Sequence, residues 1–180
     1  MNEKVMSFSS EGQDCTGSLF LPEGAERPPV IVMGHGYAAE RHFGNRSYIE
    51  AFVKVGVAVL TFDYRGSGDS AGGRRRLVDP KKQVEDWEAA IEFLRSLFLV
   101  DASRIILWGS SLGGGHALTV AAKDQSLLGV IAQVPHCDSR SAFKNTPSAK
   151  TLSAVGHGVW DLLLSLFGKI HEVPVVGKPG

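Results

Sequence analysis

Four short runs of this chain are apolar at neighbouring positions instead of alternate ones: Val30 to Met33, Val57 to Phe62, Ile105 to Trp108 and Val130 to Ala132. A strand with one face in water alternates apolar and polar residues, so an unbroken run marks a strand covered on both faces. Segments with helical spacing lie between the runs. Asp79 is placed to cap a helix in which Pro80 takes the first turn and Val84, Trp87, Ile91 and Leu94 recur three and four apart. Tyr48, Ala51, Phe52 and Val55 mark a second helix, and Leu112 to Ala122 a third. Strand and helix in alternation predict a mostly parallel sheet with helices on both faces, a three-layer α/β/α sandwich. Ahead of it, Val5 to Ser9 and Thr16 to Leu21 read as a hairpin.

Composition narrows the function classes. The 180 residues suffice for one domain with a substantial core. Lys plus Arg (19) cancels Asp plus Glu (19), so no bulk field draws nucleic acid or an anionic membrane. No apolar run is long enough to span a bilayer, and Met1 to Ser7 lacks a signal-peptide pattern, so the expectation is a cytoplasmic protein. Cys15 and Cys137 allow no disulfide framework. The character changes after Pro135. Residues 138–150 are polar and turn-rich, and Leu152 to Phe167 then form an apolar helix interrupted by His157 and Asp161. It lacks the basic face of a membrane-surface helix. The boundary is expected near residue 137, with a core over 1–137 and a separate helical segment over 138–180.

Glycine is abundant, 21 residues, and it clusters at strand ends. Gly34-His35-Gly36-Tyr37 follows the first core strand, Asp63 to Gly72 the second, and Gly109-Ser110-Ser111-Leu112-Gly113-Gly114-Gly115 the third. In open parallel sheets the ligand crevice lies outside the carboxyl ends of the strands, so these turns share one edge. Gly109-x-Ser111-x-Gly113 fits a nucleophile elbow, a sharp strand-to-helix turn that lifts a serine to a strained apex between residues without side chains. Weak as a bare pattern, it gains weight from the strand before it and the helix after it. A serine nucleophile also needs backbone donors for an oxyanion. Leu112 N–H is the first candidate and Tyr37 N–H the second, with Gly36 allowing close approach of the backbone. His35 reads as a side chain that fixes its loop, and Ser110 as a spectator.

These motifs, in this order, resemble the α/β-hydrolase superfamily. The Asp63-x-Arg65-Gly66-x-Gly68-x-Ser70-x-Gly72 turn is similar to that of its dienelactone-hydrolase-like and Xaa-Pro dipeptidyl-peptidase-like branches. The resemblance covers about residues 5–135. It implies strand order 1-2-4-3-5-6 and a Ser–His–acid triad without metal or cofactor. It further implies hydrolysis of a small-molecule ester, thioester or amide through an acyl-enzyme on Ser111, with residues 138–180 as the start of a cap-like segment. Asp63 and Arg65 are expected to support the turn as a local ion pair.

The resemblance breaks at the triad. The chain order is serine, acid, histidine, and no histidine after Ser111 follows a strand with a small-residue turn. His116 lies along the helix that Ser111 starts and should point away from it. Asp138, just past the fourth apolar run, is the candidate acid, and His136 beside it reads as a pocket wall. His157 and His171 belong to the later helical segment. The expectation is therefore an N-terminal portion of a longer hydrolase, ending after strand six, with its catalytic histidine unidentified. One alternative is a catalytically incomplete binding module. Another is a nucleotide-binding domain, since Gly34-x-Gly36-x-x-Ala39 mimics a dinucleotide fingerprint, although that motif needs a helix to begin at once. Arg74-Arg75-Arg76 reads as a solvated loop.

Overall fold

The computed structural model of the protein describes residues 1–72, 74–144 and 147–174. The chain divides into two compact units, Met1–Cys137 and Asp138–Gly180.

The first unit is built on one six-stranded sheet in the order β1-β2-β4-β3-β5-β6. The strands are β1 (Asn2–Ser10), β2 (Gln13–Leu21), β3 (Val30–Gly34), β4 (Ala58–Phe62), β5 (Ile105–Ser110) and β6 (Gly129–Gln133). β4, β3, β5 and β6 run parallel, and β2 joins β4 antiparallel. The β1–β2 hairpin is longer than the sequence suggested, and only Glu11 and Gly12 separate the paired Ser10 and Gln13. Both turn residues take positive φ, 48° and 74°, the twist that a two-residue hairpin turn requires.

The central strands are covered on both faces, with side chains alternating between two cores. Val30 and Val32 of β3, Leu60 and Phe62 of β4 and Leu107 of β5 point to one core, shared with Trp87, Ile91 and Leu94 of α2 (Pro80–Ser96) and with Ala117 and Val120 of α3 (Leu112–Lys123). Ile31, Met33, Val59 and Trp108 point to the other, closed by Ile49 and Val53 of α1 (Arg46–Lys54). α2 begins where the sequence placed it, with the Asp79 carboxylate accepting from Lys81 N–H at 3.1 Å and Lys82 N–H at 3.3 Å. The apolar run of β6 misled: it pairs with β5 alone, and Ile131 is 43% exposed, so its residues are not covered on both faces.

Among its described residues the second unit holds two helices, α4 (Ser139–Lys144) and α5 (Ser148–Ser165). The polar stretch read as turns thus contains a short helix, and the apolar helix begins before Leu152.

Candidate active site

β5 ends at Ser110 and α3 begins at Leu112, so Ser111 alone makes the turn, with φ 54° and ψ −120°. A serine pays on the order of 1–3 kcal/mol for such a conformation, and it persists only where surroundings over-determine it. Here they do. A Cβ at Gly109 would run into the Gly113 backbone, and one at Gly113 would lie 2.5 Å from the Gly34 carbonyl oxygen and 2.6 Å from that of His35. Ser111 N–H donates to the Gln133 carbonyl at 3.0 Å, and the Ser111 carbonyl accepts from Gly115 N–H at 3.2 Å and His136 N–H at 2.9 Å. Ser111 itself is exposed. The Ser111 side chain makes no capping bond to α3, and Leu112, the first residue of that helix, is half-buried beside the serine.

The loop after β3 is pressed against this turn. A Cβ added to Gly36 would lie 3.3 Å from Ser111 Cβ and 3.9 Å from Ser111 Oγ. The loop is held from beneath: Trp87 Nε1–H donates to Tyr64 Oη at 3.0 Å, and Tyr64 O–H donates to the His35 carbonyl at 3.2 Å. The buried His35 ring packs on Tyr64 with centroids 4.4 Å apart, and its Nδ1 lies 3.0 Å from the Gly36 carbonyl oxygen as donor. Burial pushes the His35 pKa down, which favours the neutral ring. After Gly36 the backbone turns sharply, Ala38 taking φ 52° and Ala39 N–H reaching the Gly36 carbonyl at 3.4 Å. The Tyr37 side chain is 57% exposed. No helix follows until Arg46, which removes the dinucleotide reading.

The turn after β4 supports the site differently from expectation, because Asp63 and Arg65 do not pair with each other. Asp63 is fully buried and pairs with the guanidinium of Arg41, while Arg41 N–H donates to its Oδ1 at 2.7 Å and Asp69 N–H to its Oδ2 at 3.2 Å. Arg65 turns instead to α2, with Nε 2.5 Å from Asp86 and a terminal nitrogen 2.7 Å from Glu85. A buried carboxylate needs several donors at once, and Arg41 supplies them from its side chain and its backbone together. Arg41, in a segment read as a plain polar loop, is the supporting residue the sequence did not disclose.

The profile of the serine aminopeptidase S33 family matches residues 25–170. This chain belongs to that family of α/β hydrolases. The quorum-quenching protein AidA of Acinetobacter baumannii is 40% identical over 176 residues, 97% of this chain and 58% of that protein. Thiohydrolase aneE of Aspergillus aculeatus is 38% identical over 132 residues, 73% of this chain and 41% of that one. Among solved structures, the α/β hydrolase GrgF from Penicillium sp. sh18 superposes with a TM-score of 0.84 at 25% identity, covering 99% of this chain and 60% of its own. The chain thus spans between 41% and 60% of the length of these relatives.

The remaining candidates fall in both units, His116 and His136 in the first and Asp138, His157 and His171 in the second. His116 is buried on α3 and donates from Nε2 to Gln83 Oε1 at 2.9 Å, and burial, then nearby His35, pushes its pKa down to about 4. His136 contributes its backbone N–H to Ser111, as above. Asp138 accepts from Arg140 N–H at 2.8 Å and Ser141 N–H at 3.3 Å, which caps α4. His157 and His171 lie together in the second unit, Nδ1 to Nε2 at 2.9 Å. Arg75 is less free than a solvated loop implies: it donates back to the Ser70 carbonyl at 2.7 Å and the Gly68 carbonyl at 2.5 Å. Two surface grooves are lined by residues that precede the parallel strands, Pro22, Glu23 and Ala25 among them. No helix among the described residues is long and apolar enough to cross a membrane.

Proposed function

We propose that this hydrolase cleaves a small-molecule carboxylic ester, thioester or amide through an acyl-enzyme on Ser111. The observation that carries the reading is the strained Ser111 turn with Gly36 packed against its hydroxyl side. In the first step a general base takes the Oγ proton while Oγ bonds to the carbonyl carbon, and the carbonyl oxygen becomes an oxyanion. Tyr37 N–H and Leu112 N–H are the proposed donors to it, and the positive end of α3 adds to their effect. The intermediate then expels the alcohol, thiol or amine with the proton, and water releases the acid. A relative named thiohydrolase favours a thioester. Asp138, by its place past β6, is the proposed acid; no histidine of this chain is assigned as the base. The unpaired thiols Cys15 and Cys137 support a reducing, cytoplasmic setting.

The test is covalent labelling of the whole protein with a fluorophosphonate. Ser111→Ala abolishes labelling and Ser110→Ala leaves it, and labelling that survives Ser111→Ala overturns the assignment. Tyr37→Phe, which keeps the backbone donor, costs little, whereas Gly36→Val costs on the order of 10²-fold in kcat by displacing it. A thioester and an oxygen ester of the same acyl group, assayed side by side, decide between leaving groups.

A further inference from the structure

The elbow accounts for Gly109 and Gly113 and, through the Gly109 backbone, for part of Gly114, but not for Gly115. Gly114 and Gly115 sit in the first turn of α3, where each weakens the helix by up to about 1 kcal/mol relative to alanine. The segment after β6 explains them. A Cβ on Gly114 would lie 3.0 Å from the Gly109 carbonyl oxygen and 3.2 Å from Pro135 Cα and Cβ, and one on Gly115 would press on the His136 carbonyl, 3.1 Å from its carbon. The two glycines form a seat for Pro135 and His136.

What rests in that seat grips Ser111. Gln133 accepts its N–H at 3.0 Å, and His136 donates to its carbonyl at 2.9 Å. Val134 and Pro135 are looped out between these two bonds. Val134 takes φ 42°, disfavoured for a β-branched residue and more so before proline. Strained Ser111 therefore faces a second strained residue across one pair of backbone hydrogen bonds. Gln133 is tied in turn to α1, its Nε2 donating to Tyr48 Oη at 3.1 Å, while the Tyr48 ring lies 5.1 Å from that of Trp108.

We infer that Gln133–His136 is a positioning element, a backbone clamp that holds Ser111 in its strained turn, and that Gly114 and Gly115 exist to admit it. The inference rests on Ser111 being the nucleophile only for its catalytic consequence; the clamp itself is tested without chemistry. Gly115→Ala is the decisive variant, because a glycine without a seating role becomes a better helix residue as alanine. With the clamp displaced, amide hydrogen exchange at Ser111 and His136 rises at least tenfold while the amides of β3 and β4 exchange as in the wild type. In the whole protein kcat falls at least tenfold with KM unchanged, and fluorophosphonate labelling of Ser111 slows in proportion. Pro135→Ala, which removes atoms from the seat and adds none, shifts the same two amides in the same direction by a smaller factor and serves if Gly115→Ala does not fold. Wild-type exchange at Ser111 and His136 in the variant that folds overturns the clamp. Raised exchange in a protein whose wild type does not label at Ser111 keeps the clamp and overturns the nucleophile.

Discussion

Trp87 and Trp160 carry the same side chain on helices of nearly equal length, α2 with 17 residues and α5 with 18, yet Trp87 is fully buried and Trp160 is 54% exposed. The contrast extends to whole units. In Met1–Cys137 the apolar residues of the central strands fill two cores, one on each face of the sheet. In Asp138–Gly180, Leu152, Val155, Leu162, Leu166 and Phe167 are all exposed. Apolar content alone therefore does not build a core; a sheet that offers both faces to helices does. The candidate site sits in the unit whose interior is packed, which is where a strained turn such as Ser111 can be held.

The largest effect that probes this contrast is Trp87→Ala. The indole fills the space where a Cβ at Gly34 would stand, packs against Phe62 with ring centroids 5.6 Å apart and donates to Tyr64. Truncation removes a fully buried side chain and the donor beneath the His35 loop, a loss of about 4 kcal/mol in unfolding free energy, measured by urea denaturation. A loss below about 1 kcal/mol would mean that α2 does not anchor the first unit.

Histidines supply the next test. His116 and His35 are buried in the first unit, whereas His157 is exposed in the second. The folded-state pKa of His116 is pushed down to about 4 against an ordinary value of 6.5. Between those values the unfolded chain binds a proton that the folded chain refuses, so the stability is present above pH 6.5 and falls as pH drops through the window. The expected loss from this residue is about 2 kcal/mol between pH 7 and pH 5. His116→Gln should flatten the slope by that amount, and the difference from wild type separates the histidine from carboxylates titrating nearby.

Much of this architecture was legible in the residues. Two-sided runs located β3, β4 and β5, and Asp79-Pro80 with its apolar spacing located α2, because these signals are local. The Gly109–Gly113 turn was legible for the same reason. The partners of Asp63 and Arg65 were not, since Arg41 and Asp86 reach them through the tertiary fold from more than twenty residues away along the chain. β6 looked covered because apolar residues cannot show how many strands flank them. α4 was hidden because six residues, four of them polar, are too few to show a helical period, and its sign was Asp138 placed to cap it. The grip of residues 133–136 on Ser111 is made of backbone atoms, which every sequence has.

A smaller effect separates the helix starts. α2 is capped by Asp79, whereas the N-cap of α5 is Pro147 with no side-chain cap. Asp79→Ala removes the acceptor for Lys81 N–H and Lys82 N–H and should cost about 1 kcal/mol of unfolding free energy. Asp79→Ser, which keeps an acceptor oxygen, should recover most of it. Equal losses in the two variants would show that the carboxylate acts through charge instead of as a cap.

The smallest effect is the sharpest test of the contrast between the tryptophans. Trp160 is 54% exposed, and its neighbours one turn away on α5, Leu163 and Leu164, do not enclose it, Leu163 being itself 47% exposed. Folding leaves about half of its surface in water whereas Trp87 keeps none, and helix propensity favours alanine over tryptophan by a few tenths of a kcal/mol. Trp160→Ala in this chain should therefore change the unfolding free energy by less than about 0.5 kcal/mol, roughly a tenth of the Trp87→Ala effect in the same urea experiment. The indole fluorescence removed by the substitution should have the long-wavelength emission of a wet tryptophan, and that removed with Trp87 the shorter wavelength of a dry one. A loss above about 2 kcal/mol, or a blue-shifted Trp160, would show that this side chain is covered in solution and would erase the difference between the units.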